Sequence, residues 1–192
     1  MIDNFDLVIT FLKFESADDF YYLQILQRKK ENPQLGSNSR VIKNYYIKSV
    51  EELLKKKDEI IGLCNYFNAR ASLRLNKRSF EKVAFKAMVN IANSMANREY
   101  EFIKASYDRA CGLGHNAGKA KTWILDIDDM ETLMPIKDWL FINKPNGFEF
   151  AVEIPSKSGM HLITNPFDLR AFSLAFPEID IHKDNPTNIY IP

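Results

Sequence analysis

The segment TWILDIDDM, residues 122–130, sets Asp126 and Asp128 two residues apart at the end of an apolar, β-branched run. On a strand alternate side chains share a face, so both carboxylates fall beside Ile124 while Trp123, Leu125 and Ile127 point the other way. Two carboxylates so placed can converge on a hard divalent cation, which takes oxygen ligands and keeps places for water and phosphate. Acids at a strand end also occur as solvated charges or caps, and Asp129, just before a helix expected from Met130, is a candidate cap. A second constellation, IPSKSGMHLIT (154–164), gathers Ser156, Lys157, Ser158, Gly159 and His161. Hydroxyls, a flexible backbone donor, a cation and an imidazole suit phosphate oxygens; an ordinary Ser/Gly turn before a structural histidine is the alternative. A further acid comes from FPEIDIHKDN (176–185), where Asp180 or Asp184, with His182 and Lys183 between them, can complete a carboxylate set or lie in a solvated turn.

Positioning these groups is the task of the surrounding elements. The chain has 192 residues, enough for one large domain or two small ones packed together. Lys+Arg 26 against Asp+Glu 25 gives a net charge of +1, so any basic surface must be local. In the first half the pattern predicts a strand in FDLVITFLKFE and a helix from Asp18 or Asp19 to Pro33. A strand RVIKNYYI, a helix opened by the capping box of Ser49 and Glu52, and a strand NARASLRLN follow. Two more helices, SFEKVAFKAMVNIANSMAN and EYEFIKASYDRAC, lead to GLGHNAGKAK, the expected boundary between units 1–118 and 119–192. The second half reads strand TWILDID, helix, strand FEFAVEI, strand MHLITN, helix FDLRAFSLAF, strand TNIYI. This is the βαββαβ order of a ferredoxin-like or RNA-recognition-motif-like unit, in an overall α+β fold. Right-handed crossovers make its first and third strands neighbours, which brings His161 to the strand carrying Asp126 and Asp128. An RNA-binding unit of this kind sets stacking aromatics on those strands; acids and a histidine there favour catalysis.

Together these residues resemble the archaeo-eukaryotic primase superfamily of primases and primase-polymerases. WILDID is similar to its first motif, SGMH to its second and EIDIHKDN to its third, within residues 122–184. The strict form of the second motif has Ser where Gly159 stands. The resemblance implies Asp126, Asp128 and Asp180 as ligands of Mg²⁺ or Mn²⁺, with Asp184 the alternative third acid. It implies Ser158 and His161, joined by Lys157, as binders of the nucleotide triphosphate. It also implies an αβ layer ahead of the catalytic unit.

In that layer, alternation puts Arg70, Ser72 and Arg74 on one strand face, with Lys77 and Arg78 beyond. Such a stripe, with Lys183 later in the chain, could contact phosphate or a template, or be a solvated face. Arg28 to Lys30 reads as an exposed helix end, and Tyr21, Tyr22, Tyr45 and Tyr46 as core rather than base-stacking residues. Cys111 and His115 have no second pair at zinc-site spacing, so no structural zinc is expected. There is no Walker-type loop for a motor and no nucleophile elbow. With two cysteines, no bilayer-length apolar run and no basic signal start, the expectation is a cytoplasmic protein, not in a membrane, and the resemblance, in so small a stand-alone form, implies a phage or mobile-element origin. The expected function is template-dependent nucleotidyl transfer from NTP or dNTP on single-stranded DNA, beside a separate replicative helicase. The alternatives are a catalytically inactive nucleic-acid-binding relative and a metal-dependent nuclease or phosphotransferase.

Overall fold

A two-residue strand, β1 (Ile2–Asp3), and a five-residue helix, α1 (Phe5–Ile9), stand where the sequence predicts one strand. The Phe5 N–H donates to the Asp3 carboxylate at 3.1 Å, and Phe5 and Val8, one turn apart, are fully buried. So short a helix has no stability of its own and is held by that packing. The computed structural model of the chain describes residues 1–36, 38–113, 121–143 and 150–192, and these form an α+β fold with two antiparallel sheets.

The expected helix from Asp18 or Asp19 to Pro33 is instead a strand, β2 (Asp19–Gln27), followed by two 3-10 turns, Lys29–Glu31 and Pro33–Leu35. Tyr21, Leu23 and Ile25 share a core with residues of α2 (Val50–Lys55) and α3 (Lys57–Phe67). Phe20 and Tyr22 face α4 (Phe80–Ala96) and α5 (Ser106–Cys111) on the other side. With both faces covered, the polar alternation that marks a strand is lost, and the apolar run reads as a helix. The capping box is present: Ser49 Oγ accepts from the Glu52 N–H at 3.1 Å. The helix it opens is broken at Lys56 into α2 and α3.

Among the described residues the first sheet has the order β1, β10 (Pro186–Ile191), β4 (Arg70–Arg74), β2, β3 (Arg40–Ile47), with β5 (Arg78–Ser79) pairing the start of β2. Asn44, Gln24, Ser72 and Asn188 lie in register across it as a polar row, bridged by Gln24–Asn44 at 3.1 Å and Ser72–Asn188 at 3.4 Å. The second sheet runs β7 (Phe150–Pro155), β8 (Met160–Thr164), β6 (Trp123–Ile127), β9 (Asp180–His182), all antiparallel. One face carries α6 (Leu133–Asn143) and α7 (Leu169–Ala175) over Trp123, Leu125, Ile127 and Leu162. The last strand departs from expectation. TNIYI lies in the first sheet, and the short β9 takes the fourth place in the second. The expected boundary loop falls largely on residues 114–120, outside the described residues, as does His115.

The two sheets are joined by polar clamps as well as by an apolar cluster of Ile124, Ile154 and Ile163 with Ile189. The Asn4 amide donates to the Pro155 and Asn188 carbonyls, both at 2.9 Å. Asp184, between β9 and β10, accepts from Arg78 at 2.7 Å, Arg74 at 3.3 Å and the Asn76 amide at 3.2 Å. Asn76 also donates to the Thr122 carbonyl at 3.1 Å and accepts from the Thr122 N–H at 2.7 Å, just before β6. Among the described residues no helix is long and apolar enough to cross a membrane.

Arg78 is fully buried, and removing one partner of such a pair strands the other. Arg78→Met should therefore lower unfolding free energy by about 3 kcal/mol in urea titration. Lys43→Ala, at a half-exposed pair with Glu59, should cost less than about 1 kcal/mol.

Candidate functional site

Asp126 lies in register with His161 on one side and Asp180 on the other, and His161 with Ile154, so one row on one sheet face reads Ile154, His161, Asp126, Asp180. The row behind it, Ile163, Ile124 and His182, is apolar at its centre. The chemistry-bearing groups thus stand where the sheet emerges from the core. His161 is buried, with Nδ1 at 2.8 Å from the Thr187 hydroxyl and Nε2 at 3.5 Å from Asp126 Oδ1. Burial holds its pKa below the ordinary histidine value; Asp126 and Asp128 oppose this and His182 reinforces it, leaving the ring neutral at pH 7.

At the end of β6, Asp128 accepts the Ser158 hydroxyl at 2.7 Å, so the Ser156–Gly159 turn is tied to one of the acids. Gly159 makes this contact possible. A Cβ at this position would lie 2.0 Å from the Ile127 carbonyl oxygen and 2.8 Å from the Asp128 Cα. A side chain at this position would not fit against this backbone. Asp129 is the cap expected, its carboxylate accepting the Glu131 N–H at 3.0 Å over the 3-10 turn Met130–Thr132.

Asp126, Asp128 and Asp180 line one hollow of about 450 Å³ together with Glu178, Asp129 and Thr132. Among the described residues no lysine or arginine pairs with any of these three acids. These three carboxylates, unpaired with lysine or arginine among the described residues, are oxygen donors of the kind a hard divalent ion takes. Among the described residues, however, no three His, Cys, Asp or Glu side chains already stand as a coordinating group.

On its other side Asp126 lines a larger cleft, about 690 Å³, between the sheets. One wall is Leu26, Arg70, Ser72 and Asn188 of the first sheet; the other is Ile124, Asp126, His161 and His182; Arg28, Lys30, Glu31 and Lys157 complete it. Glu31 bridges two of the cations, accepting from Arg70 Nε at 2.9 Å and from Lys157 Nζ at 2.8 Å. Burial would raise its pKa, but hydrogen bonds and charge from Arg70 and Lys157 outweigh this and hold it at about 2. The turn carrying Glu31 is anchored by Asn32, almost wholly buried, whose amide donates to the Arg28 and Asn68 carbonyls at 3.0 Å each. Asn68 supports it from the left-handed conformation, φ 46°, that ends α3.

The structure therefore brings together Asp126, Asp128, Asp180, Ser158, His161, Lys157 and Arg70. It does not bring Arg74, Lys183 or Asp184 to the cleft. Arg74 and Arg78 both donate to Asp184 in the clamp, and Lys183 lies 5.5 Å from the Trp123 ring centre. Asp184 is thus committed elsewhere, and of the two only Asp180 lines the hollow with Asp126. Lys77 pairs with Glu15 and Asp19, each at 2.8 Å. Sequence reasoning passed over Glu31, Asn32, Thr187 and Asn188 as site residues, and took Arg28 to Lys30 for a helix end. No family model, curated protein or solved structure matches the chain.

Gly159→Ala should destabilise the protein by about 2 kcal/mol or more, since the backbone it meets cannot yield as a side chain could; thermal unfolding measures this. The Glu31 carboxylate has a depressed folded-state pKa, so its stabilisation is complete above the unfolded value of about 4.5 and is lost as pH falls toward about 2. Across that interval the stability of the wild type should fall more steeply than that of Glu31→Gln, as read by urea midpoints at each pH.

Proposed function

We propose that the chain is a template-dependent nucleotidyltransferase of primase type, with an RNA-recognition-motif-like catalytic unit. The observation that carries this reading is the meeting of a carboxylate-rich hollow and a cation-bearing cleft at one residue, Asp126. The strand order β7, β8, β6, β9, with the unit's first and third strands central, supports the unit. In this reading Asp126, Asp128 and Asp180 hold one or two Mg²⁺ or Mn²⁺ ions, which when bound offset charge on the attacking and leaving oxygens at phosphorus. Asp128 would give up Ser158 to serve as a ligand, which would leave Ser158 free for a phosphate oxygen. His161, fixed by Thr187, offers Nε2 toward the cleft. Lys157, more than half exposed, exchanges Glu31 for the β- and γ-phosphates, while Arg70 remains at the wall and adds positive charge. Single-stranded DNA is the template and NTP or dNTP the substrate; a separate helicase would supply the unwound strand.

The test is primer extension with Mn²⁺ on labelled single-stranded DNA. An Asp126→Ala/Asp128→Ala double variant should lose at least about 100-fold in rate, the loss of a few kcal/mol of charge stabilisation, with an unchanged circular dichroism spectrum. Undiminished extension by the variant overturns the assignment. Metal-dependent shortening of the DNA without nucleotide, abolished in the same variant, assigns the site to a nuclease instead.

A further inference from the structure

His161 lines the cleft beside Asp126, and which of its ring nitrogens carries the hydrogen decides what it can do there. A neutral imidazole has one N–H and one lone pair. With the hydrogen on Nε2 it donates into the cleft; with the hydrogen on Nδ1 it offers Nε2 as a base or a metal ligand. Two contacts bear on the choice: Nδ1 lies 2.8 Å from the Thr187 hydroxyl, and Nε2 lies 3.5 Å from Asp126 Oδ1. Thr187 is fully buried and belongs to the other sheet, where it pairs with Leu73 of β4. Among the described residues its hydroxyl has no partner besides the ring. Were Nδ1 to carry the hydrogen, the hydroxyl would accept it and its own O–H would be buried with no acceptor, which buried donors rarely tolerate. The Asp126 carboxylate is an acceptor only, so it too favours a hydrogen on Nε2.

We propose that the Thr187 hydroxyl donates to Nδ1 and holds His161 as the Nε2–H tautomer, making the ring an uncharged hydrogen-bond donor to an anionic oxygen bound in the cleft. Thr187 is then a positioning residue, acting on the ligand only through the ring. That the oxygen belongs to a nucleotide phosphate rests on the nucleotidyltransferase reading; the tautomer does not. Burial of the ring disfavours its charged form, and only for a neutral ring does the tautomer matter, since imidazolium donates from both nitrogens. Lys157 and Arg70 bring charge to the cleft, whereas His161 adds a fixed direction. The assignment also removes two roles from His161. With its lone pair engaged by Thr187, the ring cannot take a proton from an attacking hydroxyl or hold an ion through Nε2.

Long-range proton–nitrogen correlation spectra of the full chain, labelled with nitrogen-15 at histidine and recorded at alkaline pH where the ring is neutral, read the tautomer directly. The signals of His161 are those lost in His161→Asn. The expected pattern is Nε2–H, with a hydrogen-bonded lone pair on Nδ1. In Thr187→Val, a near match in shape, Nδ1 should move toward its unbonded resonance, and Thr187→Ser should restore it. Titration with inorganic tripolyphosphate, without metal, should shift the Nε2–H signal of the wild type, with affinity at least about threefold weaker in Thr187→Val. An Nδ1–H pattern in the wild type overturns the proposal. So does an Nδ1 resonance that Thr187→Val leaves in place, or an Nε2 signal that millimolar tripolyphosphate does not move. The wild-type spectrum decides even if Thr187→Val fails to fold. None of these readouts involves turnover, so a chain that shows the expected spectra and extends no primer refutes the nucleotidyltransferase reading while supporting the tautomer.

Discussion

The carboxylate of Asp184 is the point on which the arrangement of the two sheets turns. It sits in the short connection between β9 and β10, the strands that end one sheet and enter the other, and it is held by the buried Arg78, by Arg74 and by Asn76. Asn76 in turn grips Thr122, where the chain enters β6. A buried ion pair is costly in desolvation and compensates only with good geometry and satisfied neighbours. Here Arg78 also donates to the Cys111 and Asn76 carbonyls, both at 2.8 Å, so its donors are largely used. The clamp fixes both ends of the second unit to the β4–β5 corner of the first. The cleft between the sheets depends on that registration, because its two walls come from different sheets.

Given the registration, charge sorts itself across the second sheet. Acids that pair with no lysine or arginine among the described residues collect in the hollow beside β9, while cations from the first sheet and from the Ser156–Gly159 turn face the cleft. Asp126 is common to both. Glu31 keeps the basic side from being a bare cluster of like charges, pairing Arg70, which is buried, with Lys157, which is not. An anionic ligand can replace the carboxylate at Lys157 at small cost, since an exposed ion pair contributes little.

The second sheet was the legible part of the chain. Trp123, Leu125 and Ile127 on one face and Ile124, Asp126 on the other follow from alternation alone, and the pairing of Asp126 with His161 from the order of elements and crossover handedness. Asp129 as a cap was also legible, because capping is local chemistry between neighbours in sequence. One error lay where burial on both faces removed the pattern. DFYYLQILQ has no polar stripe, so its strand character was hidden, and with it the turn that delivers Glu31 to the cleft.

Local chemistry in the sequence determined the candidate acids, the phosphate-suited turn and the strand neighbours that unite them, since these depend on spacing of a few residues and on chain handedness. Only the tertiary structure decided which charges remain available. Asp180 and Asp184 are four residues apart and alike in type, yet one opens on the hollow and the other is bound by two arginines that come from more than a hundred residues away. Arg70 and Arg74 share a strand face and part in the same way, one lining the cleft and the other serving the clamp. A charge's partner is set by contacts remote in sequence, and no spacing rule within a strand reports them.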